Sequence, residues 1–195
     1  MWAAMRTVET IAVTAAGACA IVASLALVPG ARGIAGAGLA LLMFAIAAVD
    51  MRRFIIPDEL TVLALALGLV HAGIDDVDPL AQALAWSLLR GAVVGLGFLA
   101  IATLYRRLRG RDGIGLGDVK LAGVAGVWLD WSIIPIAVEI AALAALGTYL
   151  VRHLCLRRVV SRTTRLPFGL FLAPAIWIGW FLEAALLLYP SGPSF

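Results

Sequence analysis

The sequence predicts an all-α polytopic membrane protein with about seven transmembrane helices in a single helical bundle. Apolar residues make up 63% of the 195 residues and charged residues only 14%, which leaves too little polar surface for a water-soluble domain. The mean hydropathy is +1.04. The apolar residues also form long runs, without the 3.6- or 2-residue period of half-buried elements. These observations strongly disfavour a soluble helical protein with a rich core.

The apolar runs divide the chain into seven candidate spans, since a helix needs about 20 apolar residues to cross a bilayer. They are Thr10–Val28, Gly33–Val49, Glu59–Ala72, Leu80–Tyr105, Val119–Leu129, Ile133–Val151 and Phe168–Tyr189. The third and fifth are short, so we expect flanking polar residues to extend them, or their ends to lie in a protein-lined cavity. Neither repeats nor linkers are visible, so residues 1–195 are expected to form one membrane domain.

The first span shares some features with a signal peptide, because Arg6 precedes an apolar stretch that contains small residues. Its apolar run is longer than a usual signal-peptide core, and a second span follows almost at once. We therefore expect the first helix to be retained.

The basic residues lie almost entirely on one side of this arrangement. With a cytoplasmic N-terminus, the opposite side receives Arg32 and the acidic turn of Asp75, Asp76 and Asp78, while Arg90 and Lys120 lie within spans. The remaining cations of the 15 are Arg6, Arg52, Arg53, Arg106, Arg107, Arg109, Arg111, Arg152, Arg157, Arg158, Arg162 and Arg165. The positive-inside rule therefore predicts a multi-pass protein of the cell inner (plasma) membrane with its N-terminus in the cytoplasm. These arginines are assigned to topology and to anionic lipids, and nucleic acid is not expected as a partner.

Two acids lie at the edges of predicted spans, where an ionisable group is costly. Asp50 closes the second span and Asp118 opens the fifth, so both are expected at the cytoplasmic level. Two adjacent carboxyl groups can share one proton, because both cannot ionise cheaply. The ionised one can then act as a base on water while the protonated one donates to a carbonyl oxygen.

Each acid also has a structural explanation when it is considered alone. Asp118 would be a helix N-cap after a glycine loop, and Asp50 a boundary residue paired with Arg52 or Arg53. Their matched depth favours the paired interpretation over these two.

Glycines alternate before Asp118, at Gly113, Gly115 and Gly117. Such a pattern is typical of backbone that passes close to another chain or adopts positive φ. An extended stretch here could also pair with a substrate strand. A dinucleotide-binding loop is disfavoured, because no strand precedes the glycines and no βαβ unit surrounds them.

Three motifs resemble those of the type IV prepilin peptidases. The stretch Asp50-Met-Arg-Arg-Phe-Ile-Ile-Pro-Asp-Glu-Leu-Thr61 resembles their first signature, and Gly115-Leu-Gly-Asp-Val-Lys-Leu121 resembles the G-x-G-D-x-K-L motif of the wider G-x-G-D proteases. Leu166-Pro-Phe-Gly169 is similar to their Pro-Phe-Gly box, although Leu170 follows where proline is common. The similarity runs from about Asp50 to Ala173.

This resemblance implies an aspartic endopeptidase that cuts the leader of prepilin-like, pseudopilin-like or Flp-type pilin substrates at the cytoplasmic membrane face. It makes Asp50 and Asp118 the catalytic pair. It also implies substrate-binding or supporting roles for Asp58, Gly115, Gly117, Lys120, Pro167, Phe168 and Gly169. Larger members carry a cytoplasmic insert with C-x-x-C zinc ligands, associated with N-methylation. Only 49 residues precede Asp50 here and no C-x-x-C occurs, so the chain resembles the short form and methyltransferase activity is not expected.

The remaining polar residues support no cofactor or metal site. Cys19 and Cys155 are far apart, and His71 and His153 have no second ligand at metal spacing. Glu183 is expected to be solvated near the outer end of the last span.

Four further charged residues have local interpretations. Asp58 is expected to cap the third helix, and Lys120 to reach lipid phosphate or substrate, with lipid favoured. Arg90 and Glu139 are expected either to pair with each other or to face a wet cavity.

Two other functions compete with the peptidase. A small proton-coupled transporter could use Asp50, Asp118 and Lys120 as a relay, but the acids lie at one level and no inverted repeat is visible. An inactive assembly factor of the same fold is disfavoured by the intact acid pair.

Overall fold

The computed structural model describes residues 2–75, 79–110, 113–154 and 167–188. This part of the chain forms seven helices and contains no strand, as predicted. They are α1 (Trp2–Leu27), α2 (Gly30–Arg53), α3 (Asp58–Asp75), α4 (Leu80–Arg109), α5 (Leu116–Trp128), α6 (Ile133–Leu154) and α7 (Gly169–Leu188). Outside the described residues lie Asp76, Asp78, Arg111, Cys155, Arg157, Arg158, Arg162, Arg165, Leu166 and Tyr189 of the sequence predictions.

Four helices in the described part are long and apolar enough to cross a membrane: Thr10–Leu27, Gly30–Arg53, Leu80–Arg109 and Ile133–Val151. A shorter apolar helix covers Gly169–Ala185. Helix α5 has 13 residues and is therefore about 20 Å long, less than the roughly 30 Å of a hydrocarbon core. Of the seven spans predicted from sequence, four therefore coincide with helices that are long and apolar enough to cross a membrane, and shorter helices pack among them.

Helices α2, α3, α5 and α7 form the centre of the bundle. Helix α2 packs on α1, α3 and α7, and α5 packs on α3, α4 and α7. Most of α5 from Leu121 to Trp128 is buried, so its second half is surrounded by protein. The expectation that the short fifth helix lies in a protein-lined interior agrees with this burial.

The core lies between α2, α5 and α7. Leu39, Met43, Leu121 and Ile176 are fully buried there. Helix α2 approaches α7 closely at Gly36, where a Cβ would lie 1.8 Å from the ring of Trp180. This tight packing fixes α2 and α7 relative to each other, and with them the two helix ends that build the site.

Candidate active site

Asp50 lies in the last turn of α2 and is only 5% exposed. The helix ends at Phe54, which adopts the left-handed conformation (φ 55°, ψ 35°) and donates its N–H to the carbonyl oxygen of Asp50 over 2.9 Å. A left-handed residue after the last turn is a common helix ending, although glycine is usual there. The chain therefore leaves the helix immediately after Asp50 and keeps its carboxyl group at the helix end.

The carboxyl group of Asp50 meets the beginning of α7. The backbone N–H of Leu170 donates to Asp50 Oδ2 over 2.9 Å. Gly169 lies against the same oxygen, since a Cβ on Gly169 would be 2.8 Å from Asp50 Oδ2. The free N–H groups of a first helical turn suit an anionic acceptor, so α7 presents a favourable environment to this carboxylate.

Asp118 lies in the first turn of α5, three residues after the N-cap, Gly115. The structural alternative, in which Asp118 is itself the N-cap, does not hold, because the helix begins at Leu116. Its backbone N–H donates to the carbonyl oxygen of Gly115 over 3.1 Å, and a Cβ on Gly115 would lie 3.4 Å from Asp118 Oδ2. The carboxyl group thus folds back over the helix start, as acids do at the third position of a capping box.

The two acids lie close enough for the charge of one to act on the other. The pKa of Asp118 is raised from its ordinary 3.8 to about 6: burial raises it most, the charge of Asp50 also raises it, and a backbone hydrogen bond at Gly115 opposes both. Asp118 lies on the short α5, outside the membrane-crossing helices. The fold therefore brings together two carboxyl groups that the sequence places on separate helices.

The connection between α2 and α3 passes beside both acids. Ile56 in this connection is buried, and its side chain contacts the positions of Gly117 and Gly169. Sequence reasoning did not single out Ile56. Nothing in the sequence distinguished Ile56 from the other apolar residues of its motif, in which the charged residues drew attention.

Asp58 and Lys120 form an ion pair, with 2.5 Å between Oδ1 and Nζ. The ammonium of Lys120 reaches Asp58 of α3 in this structure, and its contact with lipid phosphate or substrate stays a prediction. The prediction that Asp58 caps α3 is wrong, because the helix begins at Asp58 itself. The hydroxyl of Thr61 donates to the carbonyl oxygen of Pro57 over 2.9 Å. The pair joins the start of α3 to the start of α5.

The glycines before Asp118 are explained by close packing. A Cβ on Gly113 would lie 2.5 Å from the ring of Tyr105, and one on Gly117 would lie 3.1 Å from Ile56 Cβ. Among the described glycines, positive φ occurs at Gly30 and Gly110 and at none of these three. Of the two explanations for the alternating glycines, close approach of another segment is therefore right and positive φ is wrong. Gly115 is extended, with φ −72° and ψ 147°.

Pro167 and Phe168 precede α7 directly. Phe168 accepts the first backbone hydrogen bonds of that helix, from Phe171 N–H and Leu172 N–H, each over 2.9 Å. Both residues are half-buried. They therefore determine where α7 starts, and so where Leu170 meets Asp50.

A second group of polar residues lies near the other end of α5. Arg90 pairs with Asp130 over 2.7 Å, so the first of its two expected arrangements, a pair with Glu139, is wrong. The side chain of Glu139 is exposed on α6. Glu183 is half-buried and its Oε2 accepts the backbone N–H of Asp130 over 3.3 Å, so it is not simply solvated as expected.

His71 is buried between two tryptophan rings. Its Nε2 accepts the indole N–H of Trp180 over 3.2 Å, and its ring stacks on Trp128 at 4.8 Å between centroids. Across the described residues no group of three His, Cys, Asp or Glu side chains could hold a metal ion. His71 is thus part of an aromatic cluster.

The type IV leader peptidase family matches residues 37–150, a range that contains Asp50, Ile56 and Asp118. The chain belongs to this family. This match confirms the resemblance that the sequence motifs indicated. By its family, the chain is a membrane peptidase.

Relatives of this leader peptidase family member have concordant names. The leader peptidase HopD of Escherichia coli is 39% identical over 133 residues, which cover 67% of this chain and 82% of that protein. Two relatives named prepilin leader peptidase/N-methyltransferase come from Burkholderia pseudomallei and Aeromonas salmonicida. The first is 37% identical over 82% of this chain and 50% of its own length. The second is 32% identical over 81% of this chain and 52% of its own length. The chain therefore spans about half the length of these two, and no solved structure matches it.

Proposed function

We propose that this leader peptidase family member is an aspartic endopeptidase that uses Asp50 and Asp118 as a general acid/base pair. The observation that carries the proposal is the convergence of three helix ends: Asp50 at the end of α2 accepts the N–H of Leu170 at the start of α7, and Ile56 packs against both Gly169 and Gly117, the residue before Asp118. Two acids that share a proton can perform both proton transfers that peptide hydrolysis requires.

The chemistry follows from this pair. One carboxyl group of the pair holds a proton, and the other is ionised and accepts a proton from water. The water oxygen attacks the carbonyl carbon of the scissile bond while the protonated group donates its proton to the carbonyl oxygen. The C–N bond of the resulting gem-diol then breaks: the group that took the proton from water delivers it to the leaving nitrogen, and the other carboxylate takes a proton back from a gem-diol hydroxyl. The pair thereby returns to its starting protonation state.

The proposed substrates are prepilin-like, pseudopilin-like or Flp-type pilin precursors, cleaved in the leader peptide. This assignment is supported by the names of the relatives and by the three sequence motifs. Methyltransferase activity is not proposed, because the two N-methyltransferase-named relatives above match this chain over only about half of their own length.

The proposed site faces the cytoplasm of a cell inner membrane, in contact with membrane lipids. Its support is the distribution of arginines: Arg52 and Arg53 follow Asp50 at the end of α2, and Arg106, Arg107 and Arg109 end α4. Basic residues at one level are typical of the cytoplasmic side. Cysteines introduced at Leu108 and at Trp131 should be labelled from opposite sides of sealed vesicles.

The proposal is tested with purified protein in liposomes. The substrate is a synthetic precursor with a short basic leader, a glycine at the junction and an apolar helix after it. Sequencing of the product should find a single new N-terminus directly after the glycine. Proton flux across the same vesicles without cleavage would instead favour the transporter.

A further inference from the structure

Residues 54–57 connect α2 to α3 and contain one inward-facing side chain. Phe54 and Ile55 are 57% and 62% exposed, whereas Ile56 is 8% exposed. Ile56 follows two exposed residues in an irregular connection, so its side chain is kept in place by the residues that it contacts.

Ile56 packs against the two glycines that adjoin the acids. A Cβ on Gly117 would lie 3.1 Å from both Cβ and Cδ1 of Ile56, and Gly117 directly precedes Asp118. A Cβ on Gly169 would lie 2.8 Å from Ile56 Cδ1 and 2.8 Å from Asp50 Oδ2. The Ile56 side chain therefore lies between the glycine beside Asp118 and the glycine beside Asp50.

A second contact fixes the same connection to α5. Asp58 pairs with Lys120, two residues beyond Asp118, just as Ile56 contacts Gly117 before it. The ion pair is exposed, with side chains 69% and 47% accessible, so its energetic contribution is small. The buried contact of Ile56 therefore does more than the ion pair to hold the α2–α3 connection against α5.

We propose that Ile56 is a positioning residue that sets the separation of the carboxyl groups of Asp50 and Asp118. The inference rests on the proposed function of these two acids. A β-branched side chain has few rotamers and acts as a stiff spacer. The separation matters because the coupling of two charges falls with distance, and because a water molecule must fit between the acids and the peptide.

The test compares Ile56→Val and Ile56→Ala with Ile134→Ala. Ile134 is also 8% exposed, and it lies in the first turn of α6, beyond the end of α5 opposite to Asp118. We measure kcat/KM for the precursor peptide across pH. Ile56→Val should lower kcat/KM several-fold and Ile56→Ala by roughly 10- to 100-fold, the scale of a small misplacement of reacting groups. The shortened side chains let the acids approach, so the alkaline limb of the profile should move to higher pH.

Ile134→Ala should lose stability as a core truncation does, yet keep the wild-type pH profile. Gly117→Ala should reduce activity by pressing on Ile56, and adding Ile56→Val should restore part of it because Cδ1 is removed. If Ile56→Ala fails to accumulate, Ile56→Val carries the test, since it removes a single methyl group.

The inference is overturned if Ile56→Val keeps kcat/KM within twofold of wild type and an unshifted alkaline limb. It is also overturned if Ile134→Ala shifts the limb equally. Failure of the proposed function looks different: Asp50→Asn or Asp118→Asn would then still process the precursor, whatever the behaviour of the Ile56 variants.

Discussion

Leu170 donates its backbone N–H to Oδ2 of Asp50 over 2.9 Å, so an acid at the end of α2 caps the start of α7. Phe168, at the N-cap position of α7, has no side-chain acceptor for these first N–H groups. Asp50 supplies that acceptor from another helix. Pro167 and Phe168, which lead into α7, and Gly169, its first residue, thereby lie beside Asp50, which gives a physical reason for this segment to adjoin the candidate site.

Gly169→Ala is expected to reduce cleavage at least tenfold. The new Cβ would lie 2.8 Å from Asp50 Oδ2, so the carboxyl group must move, and small misplacements of catalytic groups slow reactions strongly. Cleavage rates of the purified variants measure the effect. The matched control is Gly97→Ala in α4, where a Cβ meets nothing within 4 Å and activity should be unchanged. Equal activity of both variants would argue against tight packing at Asp50.

Leu170→Pro isolates the hydrogen bond. Proline suits the first turn of a helix but has no N–H, so α7 should form while Asp50 Oδ2 loses its donor. Proline is common at this position of the Pro-Phe-Gly box that the segment resembles, so we expect the donor to be dispensable for the reaction and kcat to stay within about threefold of wild type. Leu170→Ala keeps the N–H and serves as the control. A Leu170→Pro enzyme slowed tenfold or more relative to Leu170→Ala would show that the reaction in this chain depends on the bond.

Activity should fall as pH rises through about 6. Asp118 has its pKa raised to about 6 by burial and by the charge of Asp50, so the singly protonated pair persists to that pH and is lost above it. The kcat/KM profile, which reports the free enzyme, should decline about tenfold per pH unit on this limb. A profile that stays flat into strongly alkaline conditions would contradict a shared proton.

The Asp58–Lys120 ion pair should affect activity only mildly. Both side chains are exposed, and exposed pairs contribute about 0–1 kcal/mol, so Asp58→Asn and Lys120→Ala should each lower kcat/KM no more than about fivefold. The exchanged double variant, Asp58→Lys with Lys120→Asp, should recover part of the loss. Complete inactivation by Asp58→Asn would mean that this acid takes part in the chemistry.

The fold class and the two acids could be predicted because their signals are local. Long apolar runs indicate membrane helices whatever their partners, and an aspartate at the edge of such a run is conspicuous. Asp50 and Asp118 were singled out in this way, and their role as a catalytic pair stays a prediction.

The partners of several residues could not be predicted, because they depend on helix packing. Arg90 pairs with Asp130 and not with Glu139, since α4 packs closely on α5 through glycines: a Cβ on Gly126 would lie 2.6 Å from the carbonyl oxygen of Arg90. Ile56 escaped notice for the same reason. Its burial arises from three helix ends that converge from distant parts of the sequence.

The most direct test of the account is cleavage of the precursor by Asp50→Asn, Asp118→Asn and the double variant. Each substitution keeps the side-chain size but removes the carboxylate. Because both acids serve one chemical step, either change should abolish processing and the double variant should be no worse. Asp130→Asn, which alters the acid paired with Arg90 beyond the other end of α5, is the control and should remain active. Full processing by either single variant of the pair, at normal expression, would contradict the account.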